Sequence, residues 1–270
     1  MRELSKVMTA AALLLVASTA GAQGAKPLKK CASDAVIAGT VCMDTYEASV
    51  WRVPNATTTN AGLVKKIQQG KATAALLAAG GATQLGIGFT DDYAPCADSG
   101  QNCTDDIFAV SLPGLLPSAN VTWFQALAAC ENARKRLPSN AEWQAAVIGT
   151  PDPGPDNGTT DCNTANAFTA VATGSRSSCK SARGAFDMVG NLGEFVADWV
   201  PRSTGCGTWP VSVSPTGDLQ CLAGAATTGE PAALRRGGGF ARGTDAGPLI
   251  VLGDGGPSFQ QDGVGFRCAR

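Results

Sequence analysis

The stretch GAFDMVGNLGEFVADW, Gly184–Trp199, places two acidic side chains, Asp187 and Glu194, on either side of a glycine-broken turn. Between them, Gly190 and Leu192 can offer backbone carbonyls. Hard oxygen donors at such close spacing, two of them charged, suit Ca²⁺. Asp187, Gly190, Leu192 and Glu194 therefore form a candidate metal site. The plainer alternative is a simple turn leading into an amphipathic strand or the start of a helix.

Working outward, PDPGPDNGTTD (Pro151–Asp161) reads as a loop. Before it, Ser139-Asn-Ala-Glu142 has capping-box spacing, which predicts a helix from Asn140 to about Ile148. Pro138 closes an earlier helical pattern, Asn120–Arg136, with Phe124, Leu127, Ala128, Cys130 and Ala133 toward one face. Thr90–Pro117 reads as loop. Thr57–Gly88 is rich in Ala and Gly, with one helix expected around Leu63–Ala79. CMDTYEASVW, Cys42–Trp51, reads as a single early strand. After Asp161, long helical patterns stop, and short strands and glycine turns run to the last residue. Trp123, Trp143, Phe195 and Trp199 are expected in the core. With no repeats and no linker, the pattern is one α+β domain with long loops.

The chain has 270 residues, 44% hydrophobic and 16% charged, with a net charge of −1. Its Lys and Arg are scattered, so the basic footprint of a nucleic-acid binder is missing. At the start, Arg2 and Lys6 precede an apolar run, Val7–Ala17, and an A-x-A site at Ala20–Ala22. Residues 1–22 therefore read as a cleaved signal peptide with Gln23 as the mature start, implying a secreted or periplasmic protein. The run is too short for a transmembrane anchor, and no other segment reads as membrane-spanning. Ten cysteines follow in an exported chain, which predicts a disulfide framework. Spacing suggests Cys31 with Cys42, Cys96 with Cys103, Cys162 with Cys179 and Cys206 with Cys221, and leaves Cys130 and Cys268 over. Spacing alone does not prove that connectivity. There are no histidines. Ser-His-Asp and Cys-His nucleophiles and His-based metal sites are excluded, so any catalysis must rest on carboxylates, cysteines, lysines or a hard metal ion.

Four motifs in order resemble formylglycine-generating-enzyme-like (sulfatase-modifying factor) domains: RLPSNAEWQAA (136–146), GAFDMVGNLGEFVADW (184–199), RGGGF (236–240) and GVGFRCAR (263–270). MDTYEAS and VTWFQALAAC fit as well. The resemblance makes residues 23–270 a single domain of this type, matched from Cys31 to Arg270, with 52–119 as a poorly matched insertion. It implies an elaborated C-type-lectin-like fold, α+β, loop-rich and disulfide-stapled. It also implies that Cys130 pairs with Cys268, a bridge that would contribute roughly 4 kcal/mol or more by chain entropy. Finally, it implies calcium at Asp187, Gly190, Leu192 and Glu194.

The third motif continues as RGGGFARGTDAG, Arg236–Gly247. In the family's enzymes, as the resemblance implies, a Gly-Gly-Ser turn precedes two cysteines that hold copper(I) and oxidise a substrate cysteine. Here the serine position is Gly239 and the cysteine positions fall near Arg242 and Gly247, so copper is not expected. Related iron enzymes need histidines that this chain lacks. The tail from Gly237 to Arg270 is also similar to the variable region of diversity-generating-retroelement target proteins. By that likeness Phe240, Ala241, Arg242, Thr244, Asp245, Val251, Asp254, Phe259, Gln260, Gln261 and Asp262 are the exposed, exchangeable ligand-binding positions. The expected function is a catalytically inert binding module for a protein or surface ligand. The alternatives are an enzyme of the same family with altered oxidative chemistry, or a structural cell-surface protein.

Overall fold

The computed structural model describes Leu28 and residues 30–88, 90–152 and 154–270. The expected leader, residues 1–22, lies outside them. The organising element is a six-stranded sheet in the order β11-β6-β9-β10-β8-β7. Its strands are β6 (Gly193–Val200), β7 (Gly205–Thr208), β8 (Leu219–Ala223), β9 (Ala232–Arg236), β10 (Val251–Leu252) and β11 (Val264–Phe266). β6 pairs antiparallel with β9 and parallel with β11. Successive side chains of a strand point to opposite faces. Phe195 of β6 and Ala233 of β9 therefore enter one core layer, and Val196 and Leu234 enter the other.

Each layer has its own helix. α3 (Trp123–Asn132) covers the first through Ala126, Ala129 and Cys130, and α4 (Asn140–Val147) covers the second through Trp143, Ala146 and Val147. Both helices start on capping boxes: Thr122 with Gln125, and Ser139 with Glu142. Each box satisfies two N–H groups that a helix start leaves open. The α3 register differs from expectation. Its buried face is Ala126, Ala129 and Cys130, while Phe124, Leu127 and Ala128 are only half-buried. Small residues face inward because α3 also packs against β5 (Ile107–Ser111).

β5 belongs to a second sheet, β4-β3-β5, with β3 (Ala48–Arg52) between β4 (Thr83–Leu85) and β5. Residues 90–117 are thus not all loop. The expected helix 63–79 is two, α1 (Ala61–Gln68) and α2 (Ala74–Ala79). Gly70 between them has φ +65°, a left-handed conformation that ends a helix. The expected strand 42–51 is likewise two. β2 (Val41–Asp44) pairs with β1 (Ala35–Ala38), and β3 restarts in the other sheet after Glu47 turns inward.

The structure pairs Cys31 with Cys42, Cys96 with Cys103, Cys130 with Cys268, Cys162 with Cys179 and Cys206 with Cys221. Cys130–Cys268 ties α3 to the chain just after β11. That segment is held again by β2, where the Cys42 N–H donates to the Arg270 carbonyl at 3.0 Å and the Asp44 N–H to Cys268 at 2.9 Å. Lys135, buried, bridges Asp34 and Asp44 at 2.8 and 2.7 Å.

Candidate functional site

The second motif is bound to a buried cation of the protein's own. Arg267 is fully buried, and its Nε donates to both oxygens of Glu194 at 2.8 Å. One terminal nitrogen reaches Glu194 Oε1 at 2.5 Å and the Phe186 carbonyl at 2.8 Å, and the other reaches the Asp44 carbonyl at 3.1 Å. Trp143 Nε1 donates to Glu194 Oε2 at 2.7 Å. Glu47, also buried, accepts from the Leu192 N–H at 2.8 Å and from the Asn191 amide at 2.5 Å. Asp187 accepts from the Gly174 N–H at 2.7 Å. Burial raises the Asp187 carboxyl to about 6 against the pull of that hydrogen bond and of Arg267, and burial together with Asp187 and Glu194 holds Glu47 well above the usual range.

The calcium expectation meets a competing partner in this arrangement. Asp187, Gly190, Leu192 and Glu194 do share one turn, but the Glu194 carboxylate already takes N–H donors from Arg267 and Trp143. A guanidinium stands beside Glu194 where the ion's charge would be needed, so the Glu194 carboxylate as placed does not fit calcium as a ligand. Among the described residues, Cys206, Cys221 and Asp254 bring three potential metal donors together, but the two sulfurs are bonded to each other.

The third motif builds a cleft of about 320 Å³. Its floor is the glycine turn and the facing strand ends: Gly193, Gly238, Gly239, Gly263 and Val264. Gly238 has φ +76°, and a Cβ there would lie 2.9 Å from Ala246 Cβ. Gly239 has ordinary φ, but a Cβ would lie 2.8 Å from the Gly263 carbonyl. The position that is serine in the enzymes the sequence resembles thus has no room for a side chain here. Phe240, Arg242, Asp245, Gln261 and Asp262 line the walls with Arg235. The cleft is carried on two loops, residues 237–249 and 253–263, whose ends are fixed in the six-stranded sheet by β9, β10 and β11.

Of the eleven expected ligand positions, the cleft gathers Phe240, Ala241, Arg242, Asp245, Gln261 and Asp262. Thr244 is exposed beside them in a single 3-10 turn, Gly243–Asp245. Asp254 pairs with Arg235 at 2.5 Å, Phe259 stacks under the Arg235 guanidinium at 4.6 Å, and Gln260 reaches Asp98 at 3.3 Å. Val251 is not a surface position. It lies in β10 between β8 and β9 and is 3% exposed, so its side chain belongs to the second core layer. Phe240 is buried as well, packed with Ala119 and Leu192. Trp199, expected in the core, is instead 43% exposed and edge-on to Trp123 and Phe124. Sequence reasoning missed Arg235. It precedes Arg236 in a strand, and alternation sends Arg236 over Trp143 and Arg235 into the cleft.

Because Phe240 supports a wall while Asp262 only borders it, their substitutions should separate. Phe240→Ala should cost about 3 kcal/mol, as for other buried aromatic truncations. Asp262→Ala and Gln261→Ala should stay within about 0.5 kcal/mol. Urea unfolding of the three variants reads the difference, and equal midpoints would place the Phe240 ring in solvent.

Residues 59–270 match the sulfatase-modifying factor enzyme 1-like domain. The chain belongs to the sulfatase-modifying factor family. The match starts at 59, inside the segment 52–119 read as an insertion, in keeping with the way β4 and β5 pair with β3. An 85-residue stretch of this chain is 36% identical to the serine/threonine-protein kinase pkn1 of Chlamydia pneumoniae, covering 31% of this chain and 14% of the kinase. Among solved structures, the Major Tropism Determinant P3c variant aligns with 87% of this chain and 51% of its own at 17% identity and TM-score 0.44. The I1 variant aligns over the same shares at 16% and 0.46. CarF aligns over 85% of both chains at 14% and 0.42. The chain thus spans about half the length of the Major Tropism Determinant chains and a small part of the kinase.

Proposed function

We propose that this sulfatase-modifying factor domain is an exported, catalytically inert binding module that holds a protein or surface ligand in the cleft of the third motif. The observation that carries the reading is the lining of that cleft. Its polar side chains are arginine, aspartate and glutamine, with no thiol and no imidazole. All ten cysteines are in disulfides, so none offers the soft thiolate that copper(I) chemistry requires. Mixed arginine, amide and carboxylate groups around an aromatic wall are the types that dominate adaptable contacts. Five disulfides suit an oxidising compartment. No helix among the described residues is long and apolar enough to cross a membrane.

The test compares the parent with a variant carrying Arg242→Ala, Asp245→Ala, Gln261→Ala and Asp262→Ala. The variant should melt within a few degrees of the parent yet lose retention on whole cells or extracellular material that the parent binds. The parent, incubated with copper and a cysteine-containing peptide, should leave the thiol unoxidised to aldehyde. Aldehyde formation, or undiminished retention of the variant, would refute the reading.

A further inference from the structure

We propose that the cleft recognises a carboxylate carried on a peptide-like ligand, held at Arg235 and Arg242; this rests on the binding reading above and names its ligand class. Arg235 is 3% exposed and lines the cleft, yet its Nε is buried without a hydrogen-bond partner. A buried unpaired donor on a guanidinium is costly unless something arrives to take it. Asp254 engages one terminal nitrogen at 2.5 Å, and Phe259 fixes the plane of the group from below. What is left unpaired is the Nε–H, held in the plane of a guanidinium, a group whose N–H donors match a carboxylate. Arg242 lines the same cleft and forms no ion pair among the described residues. Burial lowers the Arg235 pKa and the like charge of Arg242 adds to that shift, opposed by Asp254, so the two guanidinia feel each other's charge.

The rest of the lining narrows the class. Asp245 and Asp262 stand in the same cleft as the two arginines, and Asp254 is engaged on Arg235. A phosphate dianion would meet these carboxylates with twice the charge of a carboxylate, which favours the monoanion. The Asp245 and Asp262 carboxylates can accept N–H groups, which a peptide backbone supplies beside its acid. The carboxylate can come from an acidic side chain or from a chain terminus.

Binding to the full chain is measured by calorimetry with three short glycine peptides. One carries a single Glu and blocked ends, one has a free C-terminal carboxylate and no acidic side chain, and one is neutral with Gln for Glu; inorganic phosphate is the fourth probe. At least one carboxylate peptide should bind saturably, and which one does identifies the source. Arg242→Gln, at a half-buried site, should weaken it at least about tenfold (1.4 kcal/mol) without moving the melting temperature. Arg235→Gln should abolish it, and because that change also breaks the Asp254 contact, Arg242→Gln is the deciding variant. Equal binding of the neutral peptide, tighter binding of phosphate, or unchanged affinity in Arg242→Gln would overturn the assignment. If no peptide binds while the quadruple cleft variant still loses its cell or matrix target, the carboxylate assignment fails and the binding reading stands.

Discussion

Arg267→Met should remove about 3–5 kcal/mol of stability, the range seen when one partner of a buried ion pair is deleted. Against a typical total of about 5–15 kcal/mol, that is a large fraction of the stability. The cause is not lost volume, since Met nearly fills the stem of Arg. It is the Glu194 carboxylate, 1% exposed, left with Trp143 as its remaining side-chain donor, together with the carbonyls of Asp44 and Phe186 that lose their donors. Guanidinium-chloride unfolding measures the loss. Two controls isolate its origin. Adding Glu194→Leu to Arg267→Met should recover part of the stability, because the uncompensated charge is gone. Saturating calcium or chelator should leave the parent's midpoint unchanged, since the pair already occupies the Glu194 carboxylate. A chelator-sensitive parent would show that the turn does take calcium and that the ion pair is rearranged in solution.

Cys130→Ala with Cys268→Ala should be the most damaging of the disulfide deletions. The bond spans 138 residues, and closure entropy of a loop that long is worth about 4–5 kcal/mol. The Cys96–Cys103 bond spans 7 and is worth about 2.5 kcal/mol on the same account. Both Cys130 and Cys268 are fully buried, so alanine is the cleaner replacement for comparing the two pairs. Melting under non-reducing conditions should rank the long bridge well above the short one. An equal ranking would mean that the unfolded chain is already compact around α3 and β11.

Much of this architecture was legible because its signals are local. The Ser139–Glu142 box fixes the start of α4, glycines punctuate the loops, and cysteine spacings indicate the four short bridges. What was not legible depends on partners far along the chain. β5, IFAVS, is buried at every position, so it shows no alternation to distinguish it from an apolar loop. Asp187 and Glu194 read as ion ligands because the guanidinium that neutralises Glu194 comes from Arg267, 73 residues away. Val251 read as exposed because two residues are too few to reveal a strand. Arg235 was passed over because an arginine inside a short strand gives no local sign of the face it occupies.

The two loops that form the cleft leave and re-enter the six-stranded sheet at fixed points, with Arg267 and Cys268 locked just beyond the second. Loop closure grows only slowly with length, about 0.6 kcal/mol for a doubling. Exposed positions between those anchors could therefore be varied, as on a display scaffold. The exposed positions that meet a target, such as Thr244 and Gln261, could be exchanged while Gly238, Gly239 and Phe240, which keep the loops folded, are inherited unchanged.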